Sequence, residues 1–312
     1  MRFLFISLWI ATCLYTPFLL QHYTLGFHPN KLHAHFPLSL PSTPPITPEQ
    51  EEEIGHIFQQ PFTFLDLGSQ AYVFESRDHK YVLKLFRYHR SRFPWIHQIK
   101  IWWHGKKKAG LAKKMGLTLT AYAMAYREVP TCTELLYVQT DPSPHHFGHV
   151  HLIDALGRKW KLPISQYRFA LQRKADPFHT SLLAASQRGE LFPLLDSFLA
   201  LLEERTAKQI RNSDHNIGPN FGVFNGKVIE IDCGNYRKYV ELSDPEARIQ
   251  EMDRFFIPFF SWLLQNIPEA APYFHQQLLA LREKVRATEP IAKLQFGPKS
   301  ALAARFAIGS TN

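Results

Sequence analysis

The sequence predicts an α+β fold with a β-rich first part and a helical second part. Short runs rich in β-branched and aromatic residues come first, and long amphipathic segments with helical periodicity follow them. Strands first and helices later indicate one β-rich and one α-rich lobe. With 312 residues, 45% of them hydrophobic, the chain can bury the core of one large domain or of two lobes.

The first elements of this fold follow a helix start signal at Thr47. Thr47 can cap the helix, Pro48 suits its first turn, and Gln50 completes a capping box. Three strand-like runs come next, and the turn-like segments "GSQ" and "RDHK" separate them. They predict a three-stranded antiparallel meander over residues 62–67, 71–76 and 81–86.

The remaining elements change from strands to helices. One helix is predicted over residues 108–127, ending before Pro130. Four further strand-like runs then cover residues 134–140, 149–154, 159–164 and 167–174. Three amphipathic segments predict long helices over residues 190–210, 252–267 and 273–285.

Composition restricts the function classes. The net charge of +9 favours an anionic partner such as a nucleotide, a nucleic acid or a membrane surface, although basic residues also simply keep proteins soluble. The three cysteines, Cys13, Cys132 and Cys233, share no metal-ligand spacing and cannot form a disulfide framework. The chain has no H-E-x-x-H or paired Cys/His motif, so a zinc enzyme is not expected.

The N-terminal residues are predicted to lie outside the fold. Residues 3–20 carry no charge and are just long enough to span a bilayer as a helix, so residues 1–24 are interpreted as an uncleaved membrane anchor, with a signal peptide as the competing interpretation. Residues 25–46 are predicted to form a proline-rich linker.

A glycine, a lysine, two acids and an asparagine stand in a fixed order along the predicted strands and loops. Gly68 lies in a turn between two strands, and Lys84 is centred in the third strand, "YVLKLF". After the long helix come Asp214, Asn220 and Asp232, the last within "IEIDCG". This order resembles the glycine loop, strand lysine, catalytic loop and D-F-G segment of kinases. It is most similar to atypical bacterial members, such as small-molecule and lipopolysaccharide-sugar kinases.

The resemblance implies a bilobal kinase-like fold, with an N-terminal lobe over residues 47–175 and a helical C-terminal lobe over residues 176–312. It implies ATP and Mg²⁺ as cofactors, because phosphoryl transfer depends on charge neutralisation. Since ATP is plentiful only inside cells, the kinase-like region is expected to face the cytoplasm. The residues that it would place around them are Gly68, Ser69, Gln70 and Ala71 over the phosphates, Lys84 on the α- and β-phosphates, Asn220 and Asp232 as metal ligands, and Asp214 as the base or orienter of the acceptor hydroxyl.

Each of these residues also has a simpler interpretation. Lys84 alone would be taken for a solvated lysine on an edge strand, and one glycine of the family's three is weak evidence for a phosphate loop. Asp214 and Asn220 suit any surface turn. Asp232 is the stronger signal, because an acid that closes an apolar strand before Gly234 is hard to explain as surface.

The sequence also departs from the kinase pattern. Asn220 lies one residue further from Asp214 than is usual, which leaves Asn216 as the alternative ligand, and "RNSD" stands where the family often has "HRD". The helix over 108–127 carries no acid to pair with Lys84; Glu128 is the nearest candidate and Glu134 a poorer one. The "DPE" motif at residues 244–246 leaves little room for a segment that docks a peptide.

A basic stretch over residues 80–127 contains no acid and several tryptophans. Cations interleaved with aromatics suit a membrane interface, an anionic lipid or a nucleic acid, and they equally suit a solvated helix face with packed tryptophans. Because a membrane anchor is predicted in the same chain, binding of this stretch to a membrane surface is favoured over binding to nucleic acid.

The sequence therefore predicts a membrane-associated, ATP- and Mg²⁺-dependent phosphotransferase acting on a small-molecule, sugar or lipid hydroxyl. The alternative is a pseudokinase, which would bind a nucleotide or serve as a scaffold without catalysis. The missing helix acid and the absent "HRD" favour this alternative, whereas Lys84, Asp214, Asn220 and Asp232 favour the enzyme. A basic nucleic-acid-binding protein would account for residues 80–127 but not for the ordered set.

Overall fold

The computed structural model describes residues 6–7, 9–10, 12–13, 15–16, 26–33, 40, 42–88, 106–141 and 147–288. Over these residues the strands of one large sheet precede a group of helices, which confirms the α+β fold. The chain enters the fold through helix α1 (Pro48–Ile57), and the Thr47–Gln50 capping box is confirmed.

The large sheet has seven strands in the described chain, and it contains the predicted meander. Its strands are β1 (Pro61–Leu67), β2 (Ala71–Ser76), β3 (Tyr81–Phe86), β4 (Leu135–Gln139), β5 (His149–Ile153), β6 (Lys159–Pro163) and β7 (Phe169–Arg173). Their spatial order is β4-β7-β3-β2-β1-β5-β6. Strand β3 is therefore central, and its Lys84 lies opposite Val73 on one side and Ala170 on the other. The interpretation of Lys84 as an edge-strand lysine does not hold.

One pairing in this sheet is parallel. The β5–β6 hairpin adds to the outer edge of β1, with Phe62 opposite Leu152. Residues before helix α1 cover part of this sheet. Phe27 and Leu32 are buried in one cluster with its side chains, and the ring of Phe27 lies 5.1 Å from that of Tyr72. Part of the segment predicted as a linker is therefore packed, because these two apolar side chains find an apolar sheet face to cover.

Helix α2 (Lys106–Glu128) agrees with the helix predicted over 108–127 and packs between β4 and the C-terminal part. Its buried side chains recur every three or four residues, as expected for one face of a helix. They include Met115, Leu119, Tyr122 and Ala125. This face determines what the helix presents to Lys84.

The second half of the chain is helical, with short strands between the helices. Its elements are β8 (Asp176–Pro177), α4 (Phe178–Arg188), α5 (Leu191–Ala207), β9 (Ile210–Asn212), α6 (Ile217–Asn220), β10 (Phe221–Phe224), β11 (Lys227–Glu230), β12 (Tyr236–Lys238), α7 (Pro245–Asn266) and α8 (Ala271–Arg286), while the one-turn helix α3 (Pro130–Thr133) comes earlier, between α2 and β4. Helices α5, α7 and α8 correspond to the three predicted long helices. They pack around fully buried rings, among them Phe198, Phe256, Phe259 and Phe274.

Two small sheets hold the loops that carry the predicted acids. Strands β10 and β11 form a hairpin whose turn residues, Asn225 and Gly226, both have positive φ, as a tight two-residue turn requires. Strand β9 pairs with β12. The loop after β9 therefore lies beside the segment that follows Asp232.

The predicted N-terminal membrane anchor, and with it the membrane-bound orientation toward the cytoplasm, is wrong. None of the helices within the described ranges is long and apolar enough to cross a bilayer. Most of residues 3–20 lie outside the described residues, as do residues 89–105 of the basic stretch, which include its three tryptophans.

Candidate active site

Lys84 points away from the apolar core of the sheet, as strand alternation predicts. Its neighbours Leu83 and Leu85 pack within that core, while the Lys84 ammonium lies 3.3 Å from the Tyr122 hydroxyl and donates to the Ile231 carbonyl oxygen. The side chain is buried. Burial lowers the pKa of Lys84, and the nearby Asp232 carboxylate opposes that shift.

Asp232 follows β11 and reaches the same point. Its Oδ1 accepts a hydrogen bond from the Gly234 amide at 3.0 Å and lies 3.4 Å from the Tyr122 hydroxyl. A Cβ on Gly234 would lie 3.2 Å from that same oxygen, so glycine lets the backbone turn closely around the carboxylate. The structure thus brings Lys84 and Asp232 together, with Tyr122 between them.

The glycine turn, residues 68–71, is fastened from two sides. The Arg87 guanidinium donates to the carbonyl oxygens of Gly68 at 3.1 Å and Ser69 at 3.2 Å. From helix α2, the Thr118 hydroxyl donates to the side-chain oxygen of Gln70. The turn that would cover the phosphates is therefore tied to the same helix that contacts Lys84. Ala71, which closes this turn, is buried and begins strand β2.

Asp214 and Asn220 lie in the loop after β9. The half-buried Asp214 uses its Oδ1 to accept from the Asn216 amide at 3.1 Å, which is local turn chemistry. The Asn220 carbonyl accepts from the amide of Ile231 at 2.7 Å, so Asn220 lies beside the strand end that carries Asp232. Its side chain is buried, and its Nδ2 has no hydrogen-bond partner among the described residues. Asn216 is exposed, and the carbonyl contact with Ile231 belongs to Asn220.

A buried polar network beneath this loop was not foreseen from the sequence. The Glu230 carboxylate accepts from Arg205 at 2.6 Å, from Tyr236 at 2.5 Å and from Asn212. Arg205 and Glu230 are both fully buried. The side-chain oxygen of Asn212 in turn accepts from the amide of Asp214 at 2.9 Å, so this network braces the loop that lacks "HRD". The sequence signal that indicates such a network is the presence of Arg205 and Glu230 within otherwise apolar segments.

The two acids considered as partners of Lys84 lie elsewhere. Glu128 pairs with Lys238, and Glu134 lies in a left-handed turn where its carbonyl accepts from the Arg173 amide. Glu128 is six positions beyond Tyr122, about 9 Å along the helix axis at 1.5 Å per residue. The helix face that meets Lys84 therefore presents a hydroxyl where a carboxylate was expected.

The oxygen donors near Asp232 suit Mg²⁺ better than a transition metal. Within the described ranges, no three His, Cys, Asp or Glu side chains form a group that could hold a metal ion. Mg²⁺ instead takes one or two protein oxygens and keeps several waters and phosphate oxygens. The Asp232 carboxylate and the buried Asn220 amide fit that requirement.

Comparison with known proteins finds similarity only among solved structures. No family model matches the chain, and no curated protein matches it. A structure of WbdD with the kinase inhibitor LY294002 shares 17% identity and a TM-score of 0.35 over 78% of this chain and 50% of that one. The bifunctional kinase-methyltransferase WbdD shares 20% identity and a TM-score of 0.30 over 76% and 46%. Monomeric WbdD shares 20% identity and a TM-score of 0.32 over 69% and 45%, so the chain spans about half the length of each.

Proposed function

We propose that this protein is an ATP- and Mg²⁺-dependent phosphotransferase that acts on a hydroxyl group. The observation that carries the proposal is the meeting of Lys84 and Asp232 at the Tyr122 hydroxyl, beside the glycine turn. A buried cation and a carboxylate at one point are what the transfer of a polyanionic phosphoryl group needs, since its catalysis is mainly positioning and charge neutralisation.

Each residue of the site has a proposed role. The ammonium of Lys84 would bind the α- and β-phosphates, and the glycine turn would cover them. Asp232 and Asn220 would hold Mg²⁺, which supplies charge neutralisation for the phosphate oxygens when bound. Asp214 would orient the acceptor hydroxyl and accept its proton. The unpartnered Asn220 Nδ2 is a hydrogen-bond donor, so it supports a phosphate oxygen at this position, while the amide oxygen of Asn220 would face the metal.

The acceptor proposed is a small molecule, a sugar or a lipid rather than a peptide. Helix α7 begins at Pro245 with Asp244 as its N-cap, so the chain after Gly234 has room only for β12 and a short 3-10 helix over Val240–Ser243. A docking segment for an extended peptide does not fit into this length.

A pseudokinase is the second candidate, and two observations favour it. Lys84 has no carboxylate partner on helix α2, and its ammonium donates to a backbone carbonyl. The Asp214 Oδ1 is engaged with the Asn216 amide, so one carboxylate oxygen is occupied by the loop itself. A protein of this kind would bind ATP without turning it over.

Calorimetric titration with ATP, with and without Mg²⁺, followed by ATP consumption with a panel of hydroxyl acceptors, tests the proposal. We expect Asp232→Asn to abolish Mg²⁺-dependent turnover, because it removes the charge at constant volume and leaves the fold intact. Asp176→Asn, at an exposed position on β8, is the matched control and should behave as wild type.

Three outcomes separate the alternatives. Turnover in the wild type that Asp232→Asn leaves unchanged would refute the assignment of Asp232. Binding of ATP without turnover on any acceptor would favour the pseudokinase. A protein that binds no ATP in either condition would exclude the phosphotransferase and the nucleotide-binding pseudokinase, and would leave only the scaffold.

A further inference from the structure

Helix α2 presents hydroxyl groups where the kinase resemblance implies a carboxylate. Its only acid, Glu128, pairs with Lys238 at the far end of the helix. The side chain that meets Lys84 is Tyr122, which is only 4% exposed, so its hydroxyl is shielded from bulk water. Buried polar groups are nearly always hydrogen-bonded, so this hydroxyl is expected to bond to the polar groups beside it.

The Tyr122 hydroxyl can serve both of its neighbours at once. It accepts from the Lys84 ammonium at 3.3 Å and donates to Asp232 Oδ1 at 3.4 Å. Both distances are at the long end for hydrogen bonds, and contacts of this kind often shorten when substrates bind. The ring lies below the ammonium, with 5.5 Å between Nζ and the ring centroid, and packs edge-on against Phe86. Tyr122 thus contacts both the cation and the acid.

The same helix face also reaches the glycine turn. Thr118 lies four residues before Tyr122, on the same side of the helix, and its hydroxyl donates to Gln70. The backbone at Gly234 approaches both side chains: a Cβ there would lie 3.5 Å from Thr118 Cγ2 and 3.6 Å from Tyr122 Cε2. One helix face therefore links the turn, the strand lysine and Asp232.

Building on the proposed function, we infer that Tyr122 is the positioning residue of this site and replaces the carboxylate partner of Lys84. Its hydroxyl holds the ammonium toward the phosphates and aligns it with Asp232. Because a hydroxyl adds no negative charge, it orients Lys84 without neutralising it. The full positive charge then remains available to the polyanionic nucleotide.

Tyr122→Phe tests this inference, because it keeps the ring and removes only the hydroxyl. ATP affinity, measured by calorimetry, should fall about 5- to 10-fold, the loss expected for one hydrogen bond of ordinary strength. Affinity for adenosine, which has no phosphates, should stay unchanged. In a Lys84→Met background the same substitution should cause no further loss of ATP affinity. Tyr126→Phe, at a half-buried tyrosine one turn later, is the matched control.

A second measurement needs no nucleotide. The rate at which acetic anhydride acetylates the Lys84 amine, followed by mass spectrometry, should rise several-fold in Tyr122→Phe and stay unchanged in Tyr126→Phe, with the exposed Lys80 as internal reference. An unchanged rate at Lys84, or an equal loss of ATP and adenosine affinity, would overturn the role of Tyr122. A wild type that binds neither ligand would overturn the proposed function, while acetylation would still decide the role of Tyr122.

Discussion

Lys84 carries its charge into a place that water hardly reaches, since only 9% of the residue is exposed. Its direct partners are a hydroxyl and a carbonyl oxygen, neither of which carries a full negative charge. Burial lowers its pKa because the charged form loses hydration, although Asp232 acts in the opposite direction. A lysine held in this way destabilises the protein without ligand and is suited to a polyanion.

We expect Lys84→Met to stabilise the ligand-free protein by about 1 kcal/mol or more at neutral pH, since it removes a poorly compensated buried charge. The same variant should bind ATP more weakly, because the phosphates lose their cation. Thermal unfolding with and without ATP measures both effects, and Lys80→Met, at an exposed position, is the control. A melting temperature that falls without ligand would contradict this prediction.

The pH dependence of this effect has a definite sign. In the folded state the pKa of Lys84 is below its ordinary value of 10.5. At pH values below this folded pKa, the buried charge therefore destabilises the protein to its full extent. Between the folded pKa and 10.5 the unfolded chain binds more protons, and stability rises with pH. The difference in melting temperature between wild type and Lys84→Met should therefore shrink as the pH approaches 10.5.

Helix α5 and strand β11 are joined by the buried network around Glu230. Three donors, from Arg205, Tyr236 and Asn212, converge on this one carboxylate. The Arg205 guanidinium also lies 4.5 Å from the centroid of the Phe255 ring. Without the Glu230 charge, Arg205 would keep only the more distant Glu251, whose Oε1 lies 3.9 Å from its guanidinium, and a poorly compensated buried charge costs far more than the loss of a surface pair.

Glu230→Gln should therefore destabilise the protein by about 3–5 kcal/mol, because an amide offers one acceptor and turns a donor toward the arginine. Urea unfolding followed by tryptophan fluorescence measures this loss. Glu203→Gln, which removes the partner of the largely exposed Lys284, should cost less than about 1 kcal/mol. Equal losses in the two variants would show that the buried network contributes no more than a surface pair.

At the scale of the whole molecule, the β-rich and helical parts meet where the chain leaves β7. The connecting residues cross strand β10 at Gly222, which lies opposite Pro177. A Cβ on Gly222 would lie 2.6 Å from Ala175 Cβ and 2.9 Å from the Asp176 carbonyl oxygen. The crossing is therefore possible only over a residue without a side chain.

Gly222→Ala should destabilise the whole protein by about 1–3 kcal/mol, because backbone has to move apart to admit the methyl group. Gly55→Ala, inside helix α1 where nothing lies within 4 Å, is the contrasting control and should stabilise by about 0.5–1 kcal/mol. Chemical denaturation measures the free energy of unfolding of both variants. Changes of the same sign in the two variants would contradict the crowding at Gly222.

Features that depend on neighbours along the chain were predictable. Strand alternation predicted that Lys84 lies on the face of β3 opposite to Leu83 and Leu85, and the Thr47–Gln50 pair marked the start of α1. The meander and the long helices follow from periodicity, since each element hides its own apolar face. The predicted anchor was wrong, because the length and apolarity of a run of residues do not by themselves determine that it forms a helix long enough to cross a bilayer, and no described helix is of that kind.

By itself the sequence determined the α+β class, most elements and the order of the residues proposed to act, because these depend on local patterns. Only the tertiary structure decided the strand order of the sheet, the parallel β1–β5 pair and the packing of Phe27. It also placed Tyr122, rather than Glu128, in contact with Lys84. Such choices depend on which helix face meets which strand, and that is settled by contacts between residues far apart in the chain, which no local pattern encodes.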